Sequence, residues 1–303
     1  MNYIEVNLGK GVSDARKTLT KEIAEWCLGQ LLPKVRTLDI TIDLLDELDA
    51  TTKKETTFEL PAFKAMKIGN LQSTKIGAKG DLYLIVSHRF GPLKEGFDTF
   101  LGLDEANTKI QLLYSFWEGI QLSISRESYN RTFASALKFR LAKQSNTFPL
   151  NLVGYGTVNF NTLIDKATFP ALKSVDRFSY AAQLLISRRF SDNFSFELAP
   201  SYVRENLQNL NTVPEAKHNQ FALGFGGRYK VSKRVSLNAE YIYNTSRVSG
   251  SPFSDAYSFG VDIETGGHVF QLLFTNAQST NEPAFISNAE GDILFGFNIV
   301  RVF

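Results

Sequence analysis

Few residues in this chain could perform covalent chemistry, since it holds three His and one Cys. Ser87 and His88 are adjacent. A serine nucleophile needs a histidine base within hydrogen-bond reach and a third group to orient the ring. Neighbours in an extended strand point to opposite faces, so these two cannot form that pair. His218 and His268 have no nucleophile motif beside them, and His268, next to Gly266-Gly267, reads as an interface residue. The histidines and Cys27 give no metal-ligand spacing, and a lone cysteine excludes an intrachain disulfide. Gly224, Gly226 and Gly227 fall inside a strand pattern rather than before a helix, where small residues ease curvature instead of cradling phosphate. No catalytic residue, metal ligand or cofactor is assigned, and a non-enzymatic protein is expected.

Polar chemistry is more promising, because charges recur at every second position of otherwise apolar stretches. Lys138 and Arg140 share a parity with Ala134 and Ala136, opposite Phe133, Leu137, Phe139 and Leu141. Gln183, Arg189, Glu197, Arg228, Glu240, Asp262 and Gln271 occupy the same kind of position in later stretches. Such residues would face an enclosed lumen, with Arg140, Arg189, Glu197, Arg228 and Asp262 towards one end and Lys138, Gln183, Glu240 and Gln271 nearer the middle. They could form a charged constriction selecting small polar solutes. They could equally form an ion-pair and hydrogen-bond network that fills a narrow barrel, and their mixed signs favour the network.

The elements that would position them follow from composition and periodicity. Charged residues are 21% and hydrophobic residues 43% of 303, with net charge +2, which argues for a folded chain and gives no case for nucleic acid. The longest apolar runs fall short of the ~18 residues of a transmembrane helix, which leaves a barrel of alternating strands open. Phe (25) and Tyr (11) are abundant, as interfacial girdles require. From Asp81 onward about twelve alternating segments occur, each roughly ten residues, the length of a tilted membrane strand. The ninth sets Val235, Leu237, Ala239, Tyr241 and Tyr243 against Ser236, Asn238, Glu240 and Asn244; the fifth, with Gly154 and Gly156, is the least regular.

Connections between segments alternate in length. Long ones (residues 91–107, 161–177, 205–219, 245–256 and 277–291 among them) separate short ones such as Ser191-Asp192-Asn193 and Gly266-Gly267. Outer-membrane barrels show this order, with long external loops and short periplasmic turns. Aromatics then fall into two girdles. Phe116, Trp117, Phe190, Phe194, Tyr229 and Phe303 lie at the short-turn end, and Tyr243 and Tyr257, with Phe90, Phe178, Tyr202, Phe221 and Phe274, at the long-loop end. The loop following the first segment, with Phe97, Phe100, Leu101 and Leu103, reads as a short helix that folds into the mouth or meets a partner. Arg188 and Arg301 fall on the lipid parity near the turns, where they snorkel.

The fold class is therefore all-β: a transmembrane antiparallel up-and-down barrel of about twelve strands over residues 81–303, with a small N-terminal α/β or helical appendage. Residues 1–43 read as a βαβ-like appendage or a foreign leader, with a helix carrying Leu19, Ile23, Trp26 and Leu31 on one side. The first thirty residues lack a basic start followed by an apolar core, so either the chain is not exported or this is not the natural precursor N-terminus. Residues 44–80 read as a linker, either a periplasmic segment or a plug.

Lys79-Gly80 leading into Ser87-His88-Arg89-Phe90-Gly91, the run Phe100 to Asp104, Ser187 to Phe190, and the ending Gly296 to Phe303 resemble a family of Bacteroidota outer-membrane β-barrels of unknown function. That resemblance covers about residues 44–303 and departs from residues 1–43. It implies fold and location, in the outer membrane of a Gram-negative bacterium, and no reaction. The final strand is also similar to the signal read by the barrel-insertion machinery. Expected partners are thus outer-membrane lipid, that machinery through the strand ending at Phe303, and a periplasmic partner through residues 44–80. The leading functional expectation is a narrow channel or ligand-binding pore for small polar solutes. The alternative is a closed barrel acting as an anchor or subunit of an envelope complex, with an outer-membrane lipid hydrolase third.

Overall fold

The computed structural model describes residues 62–167, 169–207 and 217–303. Readings made on residues 1–61, including the appendage, Cys27 and the first part of the linker, lie outside the described residues. The strands are β1 Leu82–Pro92, β2 Ala106–Trp117, β3 Ile120–Glu127, β4 Thr132–Ala142, β5 Asn151–Asn161 and β6 Phe178–Arg189, then β7 Phe194–Glu205, β8 Asn219–Lys230, β9 Val235–Asn244, β10 Ala256–Thr265, β11 His268–Thr275 and β12 Leu294–Val302. One short helix, α1 Glu282–Ser287, lies in the β11–β12 connection. All twelve strands join in sequence order into a closed antiparallel barrel. Closure is made by β12, which pairs with β11 from His268↔Arg301 and with β1 from Tyr83↔Val302. No strand edge is then left unpaired, as a lipid environment demands.

Period-two patterning divides each strand between two environments. In β9 every second residue from Ser236 to Asn244 is buried while Leu237, Tyr241 and Tyr243 are exposed. Outward positions across the barrel carry Ile110, Leu112, Phe133, Leu272 and similar side chains, an apolar band suited to hydrocarbon. Trp117, Phe190, Phe194, Tyr229 and Phe303 are exposed at the short-turn end. Arg301 lies over the Phe303 ring at 4.7 Å and Arg188 over Phe190 at 5.1 Å. Tight turns use left-handed glycines where a side chain would be strained, with Gly119 at φ 77° and Gly266 at φ 51°.

The barrel is not hollow. Residues 62–76 run inside it, nearly all buried, before the chain emerges at Gly77–Gly80 and enters β1. Within that stretch Met66 to Ser73 form a hairpin: the Ser73 amide donates to the Met66 carbonyl, Lys67 bridges Gln72, and the Ile68 amide donates to the Leu71 carbonyl. Its apolar side chains complete two cores inside the barrel. Phe63, Ile68 and Leu71 join Val153, Leu185 and Ile242, while Met66 joins Tyr83, Ile85, Leu113 and Val300.

Candidate functional site

The candidate site is the lumen, where the barrel wall grips this hairpin. A buried backbone turn carries amide and carbonyl groups that must find partners, and the wall supplies them. Both oxygens of the Glu240 carboxylate face the hairpin tip. One accepts from the Gly69 amide at 3.0 Å and the Leu71 amide at 2.9 Å, the other from the Asn70 amide at 2.7 Å. The tip must pass so close to the wall that a Cβ on Gly69 would lie 2.1 Å from the Ser258 hydroxyl. The tip carbonyls are served separately. Gln271 Nε2 donates to the Lys67 and Ile68 carbonyls at 3.1 Å each, and Asn298 Nδ2 donates to that of Gly69 at 2.9 Å. Arg89, fully buried, donates to the Asn70 side-chain oxygen at 2.7 Å.

The returning arm of the hairpin is held in the same manner. Lys138 Nζ donates to the Ser73 carbonyl at 3.0 Å and the Met66 carbonyl at 3.3 Å. Glu197 accepts from the Thr74 amide at 2.9 Å, and the Thr74 and Ser187 hydroxyls meet at 2.5 Å. Two glycines of β8 complete the fit: a Cβ on Gly226 would come within 2.2 Å of Ile68, and one on Gly224 within 3.1 Å of Leu71. The sequence reading had these glycines easing curvature; their physical role is to make room for the hairpin.

The residues assigned to the lumen by parity thus fall into three groups. Lys138, Glu197, Glu240 and Gln271 bind the hairpin directly, with Asp262 behind them accepting from Gln271 at 2.9 Å. Gln183 donates to Ser201 on the wall at 2.9 Å, and Arg228 pairs with Glu264. Arg140 and Arg189 sit at the short-turn rim and pair with the turn acids Glu118 (2.6 Å) and Asp192 (2.9 Å). The middle of the lumen is therefore less an ion-pair network than a scaffold for one peptide segment. Ser87 is buried on the inner face, whereas His88 stacks on Phe297 on the outer face and shares a hydrogen bond with Thr108 at 2.8 Å.

A second closure lies above the first, at the long-loop end. The β11–β12 connection folds inward and is anchored on Glu127, whose carboxylate accepts from the Thr280 amide (2.7 Å), Asn107 (2.9 Å), Ser279 (3.1 Å) and Asn281. Phe285 and Ile286 of α1 are buried in the barrel core. The two closures touch: Gln72 donates to Glu282 at 2.7 Å and Lys67 to the Thr280 carbonyl at 3.2 Å. Burial, reinforced by Lys109 nearby, lowers the Lys67 ammonium to about 7.

The final strand's parity also turns Asn298 to the lumen and residues 44–80 were open to being a plug, but Arg89 and Glu127 carry no assignment from the sequence. Arg89 shares its parity with Ser87, Ile85 and Tyr83, so the alternation that exposed the other lumen residues carried it too. Of the two alternatives for the β1–β2 connection, folding into the mouth is not seen, for Phe97 is 83% and Phe100 58% exposed, and contact with a partner stays an expectation.

With this geometry in place, residues 63–303 match the family described as Membrane bound beta barrel domain (DUF5777). The chain belongs to that family. It is a membrane-bound β-barrel of twelve strands. Comparison with curated proteins gives no match. Among solved structures, the chain is similar to the NanC porin at 8% identity and TM-score 0.49, covering 73% of this chain and 99% of that one. It is similar to the KdgM porin in complex with disordered oligogalacturonate at 9% and 0.45, covering 74% and 99%. The Acinetobacter baumannii outer membrane protein Omp33 follows at 11% and 0.42, covering 75% and 100%. Likenesses of this strength speak to neither solute nor mechanism, which have to come from this chain's own residues.

Proposed function

We propose that this protein is a gated pore of a Gram-negative outer membrane, of the Bacteroidota kind its sequence resembles, and that its resting state is closed. The gate is the hairpin Met66 to Ser73. One observation carries this reading: Glu240 and its neighbours hold hairpin backbone rather than wall cations, so withdrawing the hairpin leaves a lumen already lined with polar groups. Glu240, Glu197, Lys138, Gln271, Asp262 and Arg89 would then face small polar solutes, with both signs of charge and no strong ion preference. The opposed faces of Ser87 and His88 support a non-enzymatic role. Residues 44–80 are the proposed segment for a periplasmic partner, and the strand ending at Phe303 the segment for the insertion machinery.

Closure at the long-loop end by the Glu127-anchored connection favours a second reading, a permanently closed barrel that anchors a complex. Planar-bilayer recording separates the two. Wild-type protein is expected to be silent with rare openings, and Glu240→Ala and Gly69→Val to open far more often. Silence from both variants, with heat-modifiable gel mobility retained, favours the anchor. Steady conductance from wild-type protein would remove the gate.

A further inference from the structure

A second polar feature lies outside the hairpin's grip. Where the β3–β4, β5–β6 and β7–β8 connections meet α1 at the long-loop end, they enclose an open pocket of 90 Å³. At its wall Asn159 of β5 is 2% exposed, and neither its side-chain oxygen nor its amide nitrogen has a hydrogen-bond partner. Burying an amide without partners is costly; Gln121, Gln183 and Asn238 each leave one oxygen without a partner, whereas Asn159 leaves both of its polar atoms so. The Asn288 side-chain oxygen, also at the pocket, lacks a partner too. Asn161, whose oxygen accepts from the Leu163 and Ile164 amides, adds a further side-chain amide, and Tyr129 and Phe178 line the pocket with aromatic rings.

We propose that this pocket binds the end residue of a neutral sugar chain presented from outside. Four features select that chemistry. A side chain with adjacent unfilled donor and acceptor matches a pair of neighbouring hydroxyls, each of which both gives and takes a hydrogen bond. The pocket's charges, Asp176 and Glu205 against Arg177, leave no positive surplus to attract an anion. Its volume admits one end group rather than a whole oligomer, and aromatic rings beside it offer flat apolar faces to a sugar ring. The site is separate from the hairpin, so ligand capture and gating are distinct properties.

The test uses the full chain in a detergent without a sugar headgroup, titrated with maltotriose, tri-N-acetylchitotriose and digalacturonate and followed by saturation-transfer NMR and calorimetry. At least one neutral trisaccharide is expected to bind saturably with a Kd near the millimolar range. Asn159→Leu, which keeps the branching and the number of heavy atoms and removes both polar atoms, should weaken it about tenfold. Asn161→Ala, at the pocket's margin, should weaken it by a smaller factor and serves if Asn159→Leu does not fold. Sugar binding is measured on the wild-type chain whatever its conductance, so that failure of the gate and failure of this site are read apart. No saturable binding of either neutral probe by about 10 mM, tighter binding of digalacturonate, or binding untouched by the Asn159 and Asn161 substitutions would each overturn the proposal, the last leaving Asn159 solvated by water alone.

Discussion

The two faces of the same strands obey different rules. Outward residues need only be apolar and of roughly suitable size, because lipid is fluid and accepts any such shape. Inward residues must match one particular peptide segment, atom by atom. Leu272 and Gln271 are neighbours in β11, yet the first meets hydrocarbon and the second gives hydrogen bonds to two hairpin carbonyls and to Asp262. Outer-face specificity is thus a property of depth, and inner-face specificity a property of partners.

Substitutions can break this contrast on either side. The largest effect is expected from Glu240→Ala, which leaves three buried amide donors without their carboxylate. It should weaken hairpin docking by about 3–5 kcal/mol. Limited proteolysis within residues 62–80 would report this, while the barrel keeps its heat-modifiable mobility; a hairpin as protected as wild type would refute the assignment. On the outer face, Leu272→Arg should cost the barrel about 2–4 kcal/mol if the residue lies near the bilayer midplane, measured by urea unfolding in vesicles. That substitution should leave the hairpin's protease protection unchanged, and a loosened hairpin would show that the two faces are coupled.

A smaller effect is expected from pH. Docked, Lys67 has its ammonium lowered to about 7, from 10.5 when free. Between those values the undocked hairpin holds more protons than the docked one, so docking strengthens as pH rises through that window and is flat below it. Protease protection compared between wild type and Lys67→Met at each pH should show a pH-dependent difference; identical profiles would remove Lys67 as the cause. The smallest effect is expected from Arg301→Ala, on the outer face at the turn end, which removes a cation–π contact with Phe303 worth about 0.5–1 kcal/mol. A shift in unfolding midpoint larger than that of Leu272→Arg would invert the depth rule.

What the sequence disclosed follows the same division. β4 and β9 were readable to the residue, because lipid on one side and lumen on the other force a period of two. β5 was the least regular, for a reason visible in space: its outward Gly154 lies beneath the Phe139 ring, where a Cβ would come within 2.3 Å. An aromatic from the neighbouring strand covers the position that a β5 side chain would otherwise hold. The parity of Lys138, Glu197, Glu240 and Gln271 was also readable, but their partners were not. Mixed charges suggest pairing with each other, and a hydrogen bond to main chain leaves no signature in side-chain composition. The hairpin itself was hidden among the lysines at 64, 67, 75 and 79, since a segment coated by wall groups on all sides shows neither a helical nor a strand period.

The hydrogen bond from Asn298 to the Gly69 carbonyl joins residues 229 apart in the chain. Gly69 is synthesised before any strand, and Asn298 belongs to the last. Because β12 supplies Asn298, the grip on the hairpin is completed only when β12 pairs with β11 and β1, so the hairpin's docking draws on the first-made and the last-made parts of the chain alike. An unfilled bore would leave Glu240 and Lys138 without the backbone partners the hairpin supplies, while Arg89 keeps the His88 and Phe297 carbonyls, so the filling is a stabilising part of the barrel itself.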